Sequence, residues 1–223
     1  MIKKILAYET STNICSVAFQ NTDGKVFEKR VQGRSVHSDN LFLFTQQLMK
    51  EHDFKIEDLN AVLVSNGPGS YTGLRIAASA IKGIIFDKDV NLFACNTLAS
   101  FAMATESSSE AIHSIIDARR NHVYHQAFKL DDELEILTEA KVIELSDLEE
   151  QIESGYTLIG TGIDRISKKA LEDVQVFDDS FISAKSLIRL FQLENNTDFC
   201  IKTHPEELNS NYISSSQVNN TKA

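Results

Sequence analysis

A strand, a glycine-rich loop and a helix start are predicted by one stretch, Asn66-Gly67-Pro68-Gly69-Ser70-Tyr71-Thr72-Gly73-Leu74-Arg75. It follows the apolar run Ala61-Val62-Leu63-Val64 and precedes a run of small residues, Ile76-Ala77-Ala78-Ser79-Ala80-Ile81. Three of the nine glycines and one of the two prolines in the chain fall within it. This geometry lets backbone N–H groups converge on an anion, or lets the loop approach another backbone closely. What the loop contacts therefore bears directly on what the protein does.

The loop lacks the chemistry of a nucleotide phosphate loop. Such loops place Lys followed by Ser or Thr at the helix start, whereas this chain has Leu74-Arg75 there, and Pro68 removes one backbone N–H. The next helix carries Ala77, Ala80 and Gly83, and small residues let helix axes approach closely. From the residues alone two interpretations stay open: an interface with another protein, and packing inside the same lobe.

The composition is that of a globular protein with one large domain or two small lobes. The chain has 223 residues, 42% of them apolar, and a formal net charge of −10. No apolar run is long enough for a membrane span, and the N-terminus lacks the apolar centre of a signal peptide. The three cysteines, Cys15, Cys95 and Cys200, are expected to be reduced thiols in a cytoplasmic protein. No Lys/Arg cluster exceeds a pair, which argues against an independent nucleic-acid binder.

The first half of the chain predicts three antiparallel strands followed by alternating helices and strands. The strands are expected at 5–8, 15–19, 26–31, 61–65 and 90–95. The helices are expected from Ser38, over 76–86, and over 98–104 with Thr97 as the cap. This order is that of the ribonuclease-H-like lobe of actin and the sugar kinases, so an α/β fold with two lobes is predicted.

The second half is predicted to form another, divergent lobe. The polar segment 105–110 marks the boundary, giving lobes at residues 1–104 and 105–223, with the C-terminal segment free to pack back on the first lobe. Strands are expected at 111–116, 123–130 and 156–159, and helices at 164–171 and 183–193. Ser146-Asp147-Leu148-Glu149 predicts a capping box that opens a short helix. The polar tail, 209–223, is expected to fray.

Three motifs carry a resemblance to a known family. They are Glu9-Thr10-Ser11-Thr12-Asn13-Ile14-Cys15-Ser16-Val17-Ala18, the loop Gly67-Pro68-Gly69-Ser70-Tyr71-Thr72-Gly73-Leu74-Arg75, and Asp117-Ala118-Arg119-Arg120-Asn121-His122-Val123-Tyr124. Together they resemble the bacterial TsaB (YeaZ) family over the first 130 residues. The resemblance is weaker over 131–200, and near the end Asn211-Tyr212-Ile213 is similar to the closing segment of that family.

The resemblance implies a non-catalytic, cytoplasmic member of the actin/hexokinase-like superfamily. It implies a partner, the paralogue TsaD, that transfers a threonylcarbamoyl group to the adenosine beside the anticodon of tRNAs reading ANN codons. It implies that the ATPase TsaE joins that assembly and that the chain contacts tRNA only through the complex. It also implies that the protein alone forms a homodimer. ATP or ADP is expected only within the complex, and no cofactor is assigned to this chain.

The resemblance also favours the interface interpretation of the small-residue helix. It implies that helix residues of this chain contact a partner. Because the loop lacks the Lys and precedes a small-residue helix, it is expected to position the second helix for docking through Gly67, Pro68, Gly69, Ser70, Tyr71, Thr72, Gly73 and Arg75. The expected interface residues are Leu41, Phe42, Thr45 and Met49 on the first helix and Ala77, Ala80, Ile81 and Ile84 on the second.

Metal and catalytic sites are not predicted. His37 has Leu41 four residues later, so one helix offers no chelating pair, and no His-Glu-x-x-His is present. His122 and His125 lie three apart on a strand and are expected to point to opposite faces.

Two alternatives from other functional classes remain. The first is an ATP-dependent small-molecule kinase, in which Thr10, Ser11 and Thr12 contact a phosphate, Gly160-Thr161-Gly162 approaches one, and Asp117 acts in catalysis. Glu9 stands where such kinases place Asp. The second is an independent tRNA binder. The negative net charge of the chain argues against this alternative.

Overall fold

The computed structural model describes residues 3–107 and 109–208, which form twelve strands and five helices apart from short 3-10 turns. The strands are β1 (Ile5–Glu9), β2 (Ile14–Gln20), β3 (Val26–Gln32), β4 (Ala61–Ser65), β5 (Asn91–Cys95), β6 (Ile112–Asp117), β7 (His122–Leu130), β8 (Leu134–Ile136), β9 (Lys141–Glu144), β10 (Thr157–Gly160), β11 (Gln175–Phe177) and β12 (Cys200–Thr203). The helices are α1 (His37–Glu51), α2 (Tyr71–Ile84), α3 (Thr97–Ala102), α4 (Leu145–Glu149) and α5 (Ala184–Gln192).

The first sheet has the strand order β12-β5-β4-β1-β2-β3. β1, β2 and β3 are antiparallel, whereas β4 and β5 run parallel to β1. β1, β2 and β4 are buried along their whole length, because helices cover both faces of the sheet centre. β12, from the far end of the chain, pairs antiparallel with β5 and forms one edge.

The second sheet repeats the connectivity of the first. Its order is β11-β10-β6-β7-β8, with β9 also paired to β7. β6 and β7 are antiparallel, and β10 and β11 run parallel to β6. Each sheet therefore has an antiparallel hairpin beside a parallel strand pair, and the predicted actin/hexokinase-like α/β fold is confirmed.

Three buried clusters divide the molecule into layers. α1 and α2 cover the outer face of the first sheet, where Leu6, Leu41 and Ile81 belong to one cluster. α4 and the turns after β10 cover the outer face of the second sheet. The third and largest cluster lies between the sheets and contains residues of both, together with α3 and α5. The central layer therefore belongs to both halves of the chain.

Chain segments cross the predicted lobe boundary in both directions. α3, from the first half, contacts β6 and β7, whereas α5, from the second half, contacts β1 and β2. The start of α5 is held by Glu28 of β3, whose Oε1 accepts from Ser16 Oγ and Ser183 Oγ at 2.6 Å each. The division at residue 105 stays a prediction, and the core residues do not separate along it.

Several local predictions need correction. α2 begins at Tyr71 rather than Ile76, because Ser70 caps it. α3 begins at Thr97, with Asn96 rather than Thr97 as the cap. No capping box forms at Ser146, because α4 starts one residue earlier. The segment 164–171 contains a 3-10 turn, Ile163–Arg165, instead of a helix. The tail 209–223, with Asn211-Tyr212-Ile213, lies outside the described residues.

Candidate functional site

The glycine loop packs against the turn between β1 and β2. Ser70 N donates to the carbonyl oxygen of Ser11 at 2.6 Å, and Thr10 Oγ1 donates to that of Gly73 at 3.1 Å. A Cβ atom at Gly73 would lie 2.0 Å from Thr10 O, and one at Gly69 would lie 2.5 Å from Ser11 O. Glycine is required at both positions because two backbone segments touch there.

Both ends of the loop are fixed by the chain itself. Ser70 Oγ accepts from Gly73 N at 3.2 Å and caps α2. Gly67 N donates to Thr97 Oγ1 at 2.9 Å, and Thr97 N donates to Gly67 O at 3.1 Å. The Gly67–Pro68 peptide bond is cis. These contacts set the position at which α2 leaves the sheet.

Glu9 lies fully buried at the end of β1. Its Oε1 accepts from Ser11 N at 2.6 Å and from Ser11 Oγ at 2.5 Å. Its Oε2 has no hydrogen-bond partner among the described residues. Burial raises the pKa of Glu9 to about 7, although the hydrogen bonds from Ser11 act in the opposite direction. The carboxyl therefore holds the turn in place and is part neutral near pH 7.

The hydroxyls proposed for phosphate contact already have partners within the protein. Thr10 Oγ1 bonds Gly73, Ser11 Oγ bonds Glu9, and Thr12 Oγ1 accepts from Ile14 N at 3.3 Å. All three residues are buried. A phosphate that accepts from the Thr10 or Ser11 hydroxyl would have to displace an existing bond, whereas the Thr12 hydroxyl only accepts and keeps its O–H donor. In this structure Thr10, Ser11 and Thr12 lock the glycine loop to β1 and β2, and their contact with a nucleotide stays a prediction.

A cleft of about 1070 Å³ opens between the two sheets. It is lined from one side by Ser11 and Thr12 and from the other by Asp117 and Thr161. Asp117 Oδ1 accepts from Arg119 N at 2.8 Å and forms an ion pair with Arg165. These contacts give Asp117 the role of a turn residue and argue against its assignment as a kinase catalytic residue.

The second glycine turn serves strand packing. A Cβ atom at Gly160 would lie 1.8 Å from Ile115 O, so glycine is needed for β10 to lie against β6. Thr161 Oγ1 accepts from Asp117 N at 2.9 Å. Gly160-Thr161-Gly162 is thus explained by contacts between neighbouring strands.

His37 is a buried residue of the first turn of α1. Its Nε2 lies 2.9 Å from the carbonyl oxygen of Thr12, which fixes Nε2 as the donor. Burial lowers the pKa of His37, while the hydrogen bond to Thr12 acts in the opposite direction. No group of three or more His, Cys, Asp or Glu suited to a metal occurs among the residues that the structure describes.

A histidine pair that the sequence did not reveal lies in the second sheet. His113 Nδ1 and His125 Nε2 are 2.9 Å apart, and the rings stack at a centroid distance of 5.1 Å. Burial lowers the pKa of His113 to about 4 and that of His125 to about 3. The pairing register of β6 and β7 brings the two rings together. The positions of the histidines along the sequence do not indicate this contact.

An apolar groove of about 490 Å³ runs between α1 and α2. Phe42 and Tyr71 stand at its sides, 48% and 52% exposed. The Arg75 guanidinium lies 4.5 Å from the centre of the Tyr71 ring and donates to its hydroxyl. Exposed aromatic and Arg side chains around an apolar floor are typical of protein–protein contact sites. The complete lining is Ser38, Leu41, Phe42, Tyr71, Thr72, Arg75, Ile76, Ser79 and Ala80.

The structure divides the eight predicted interface residues into two groups. Leu41, Thr45, Ala77 and Ile81 are buried inside the molecule, and Thr45 Oγ1 bonds Tyr8 Oη at 3.1 Å. These four residues do not reach the surface of the single chain, although Leu41 forms part of the groove floor, and the interface assignment of all eight residues stays a prediction. Phe42 is exposed, Met49 and Ile84 are half-buried, and Ala80 lines the groove with 6% exposure.

No helix within the described part of the chain is long and apolar enough to cross a membrane.

Comparisons with known proteins identify the relatives of this chain. It is 24% identical over 202 residues to the TsaB tRNA threonylcarbamoyladenosine biosynthesis protein of Buchnera aphidicola subsp. Baizongia pistaciae, covering 85% of this chain and 89% of that protein. It is 28% identical over 173 residues to TsaB of Bacillus subtilis, covering 76% of each.

Solved structures share the fold. YeaZ from Pseudomonas aeruginosa superposes with a TM-score of 0.77 at 22% identity, covering 95% of this chain and 100% of that one. Residues 32–208 match the family described as TsaD, tRNA N6-adenosine threonylcarbamoyltransferase. The resemblance drawn from the three motifs is confirmed: the chain belongs to the TsaD family, and TsaB and YeaZ proteins are among its relatives.

Proposed function

We propose that this chain is a non-catalytic partner subunit in the synthesis of threonylcarbamoyladenosine on tRNA. In this role it docks on a TsaD-type transferase in the cytoplasm, with TsaE in the same assembly. The transferase modifies the adenosine beside the anticodon of tRNAs reading ANN codons, and the chain meets tRNA only through the complex. Membership of the TsaD family and the names of the TsaB relatives support this proposal.

The observation that carries the proposal is the apolar groove between α1 and α2. Phe42 and Tyr71 expose about half of their surface there, which costs free energy unless another molecule covers them. The floor is made of small or aliphatic side chains such as Ala80 and Ile76, so a helix of a partner can approach closely. Without TsaD, a second copy of the chain covers the same groove and gives a homodimer.

The non-catalytic role is supported by the occupied polar groups around the cleft. Ser11 and Asp117 each form contacts within the protein that hold a turn, and Gly69 and Ser70 of the glycine loop are held against the Ser11 carbonyl at the edge of the cleft. We therefore propose that any ATP or ADP in the assembly binds to side chains of the partner proteins.

The docking proposal is tested by Phe42→Asp and Ala80→Arg, measured by calorimetry against purified TsaD. We expect each variant to weaken binding by about 30-fold or more, because a central aromatic contact is lost or the floor is filled by a charge. Phe86→Asp is the matched control: Phe86 is 78% exposed on the segment after α2, outside the groove lining. Unchanged affinity of both groove variants would refute the docking site.

The functional part is tested by reconstitution with TsaD, TsaE, tRNA and a threonylcarbamoyl-AMP donor. Formation of modified adenosine, measured by mass spectrometry of digested tRNA, should require the wild-type chain and fail with Phe42→Asp. Equal product with and without the chain would contradict the role as an essential subunit.

A further inference from the structure

Two cysteines from distant parts of the chain lie directly opposite each other in the first sheet. The antiparallel pairing of β5 and β12 places Cys95 against Cys200. Directly opposed residues share one face of a sheet, and both side chains belong to the buried cluster between the sheets. The third cysteine, Cys15, belongs to the cluster on the outer face of that sheet.

The hydrogen-bond ladder shows which type of cross-strand pair this is. The carbonyl oxygen of Cys95 accepts from Asn66 N, on the β4 side, at 2.9 Å. The bond toward β12 is made by the next residue, since Asn96 N donates to Phe199 O at 2.8 Å. Cys95 and Cys200 thus form a non-hydrogen-bonded pair, in which Cα atoms are typically about 4.5 Å apart. That separation is within the range of disulfides, about 4.4–6.8 Å.

The two thiols also interact with each other. Burial, and after it the neighbouring Cys200 thiol, raises the pKa of Cys95 well above its usual value. Cys95 is fully buried and Cys200 is 3% exposed. β12 has only four residues and lies at the sheet edge, and short edge elements are among the first parts of a fold to open locally.

We propose that Cys95 and Cys200 form a reversible intramolecular disulfide, with a hydroperoxide as the oxidant. The Cys200 thiol loses its proton and its sulfur attacks one peroxide oxygen: an S–O bond forms, the O–O bond breaks, and the departing oxygen takes up that proton, which gives a sulfenic acid and, for hydrogen peroxide, water. The second thiol then attacks the sulfenic sulfur, the S–S bond forms, and a second water leaves. Two thiols lose two electrons and two protons, and the peroxide accepts both. A dithiol reductant reverses the step by thiol–disulfide exchange.

The disulfide would fasten β12 beside the glycine loop. Asn96, which follows Cys95, caps α3 and donates through Nδ2 to Gln126 Oε1 on β7 at 3.0 Å. Thr97, the next residue, holds Gly67. Oxidation therefore links the edge strand to a point that anchors both the glycine loop and the contact between the sheets.

The test treats the folded full chain with a small excess of hydrogen peroxide, then alkylates remaining thiols under denaturing conditions and maps peptides without reduction. We expect a cross-linked peptide pair containing Cys95 and Cys200, with Cys15 alkylated, and its disappearance after dithiothreitol. Three alkylated cysteines, a disulfide to Cys15, or only sulfinic acids would overturn the proposal.

Two controls separate the effect of the fold from chance pairing. Cys15→Ser should give the same disulfide, whereas Cys200→Ser should give none in the folded protein. In denaturant the wild-type chain should pair Cys15 with either partner as well, because the sheet register is lost. If the folded and unfolded chains gave the same mixture, the register of β5 and β12 would not select the pair.

Discussion

At the scale of single residues, Glu9 shows how burial turns a carboxyl group of the polar turn after β1 into a structural contact. Its carboxyl is enclosed where β1 ends, with Ser11 as its partner. The sequence indicates a polar turn and the resemblance indicates the family. Neither indicates that the Oε2 atom is buried with no partner among the described residues, because this depends on neighbouring strands that close around it.

Glu9→Gln should change how stability depends on pH. Burial raises the pKa of Glu9 from 4.5 to about 7 in the folded protein, so between these values the unfolded chain loses a proton that the folded protein keeps. Wild-type stability therefore falls as pH rises through this window. Gln resembles the neutral acid. The free energy of unfolding of the variant minus that of wild type should therefore be about 3 kcal/mol larger at pH 8 than at pH 4.

Urea unfolding of both proteins at several pH values measures this difference. Contributions of other titrating groups cancel when variant and wild type are compared at each pH. A difference in unfolding free energy that stays constant from pH 4 to pH 8 would show that Glu9 does not titrate as its burial requires.

At the scale of elements, the start of α2 depends on the close approach of two backbones. Gly73, in its first turn, lies against Thr10 O, whereas a Cβ atom added at Gly83, near its end, would have nothing within 4 Å. The small and apolar residues of the sequence predict α2 from Ile76 onward and so place its start too late. The apolar pattern does not include Ser70, although serine is a preferred N-cap residue and marks the true start of the helix.

Replacing glycine by alanine at two positions of α2 should change the free energy of unfolding in opposite directions. Gly73→Ala should lower the free energy of unfolding by about 3 kcal/mol or more, because its methyl carbon collides with a backbone carbonyl. Gly83→Ala should raise it by about 0.5–1 kcal/mol, because a helical glycine with open space around it is replaced by a better helix former. Urea denaturation measures both, and equal effects at the two sites would contradict the contact with Thr10.

Regular elements with strong patterns can be predicted from the sequence, and short ones that lack such a pattern cannot. β4 and β7 are indicated by apolar or alternating runs. β8, β11 and β12 have three, three and four residues and lack a clear apolar run, whereas β10, also with four residues, is indicated by the apolar residues before Gly160. The groove between α1 and α2 can be anticipated only in outline, because helix rotation decides which residues face the sheet and which face outward.

At the scale of the whole molecule, the two sheets share one central layer. Ile116 of β6 and Ala7 of β1 belong to the same buried cluster, together with residues of α3 and α5. The repeated strand order of the two sheets can be expected from the resemblance. The exchange of helices across the predicted boundary cannot, because it is made by contacts between residues far apart in sequence.

The molecule should therefore unfold in one cooperative step. Hydrogen exchange measured by mass spectrometry in increasing urea should give the same midpoint for peptides of β1 and β4 and for peptides of β6 and β10. Ile116→Val should lower both midpoints together, at a cost of about 0.5–1.5 kcal/mol. Separate midpoints, or a shift confined to the second sheet, would show that residues 1–104 and 105–223 fold independently.

The edge strand β12 also has a consequence for how the protein is made. The ribosome releases β5 well before it has translated α5 and β12, which complete the first sheet and one of its faces. During that interval the nascent chain carries an open strand edge and an uncovered apolar surface, both of which invite association with other chains. Translation speed and chaperone access in this interval are expected to control the yield of folded protein.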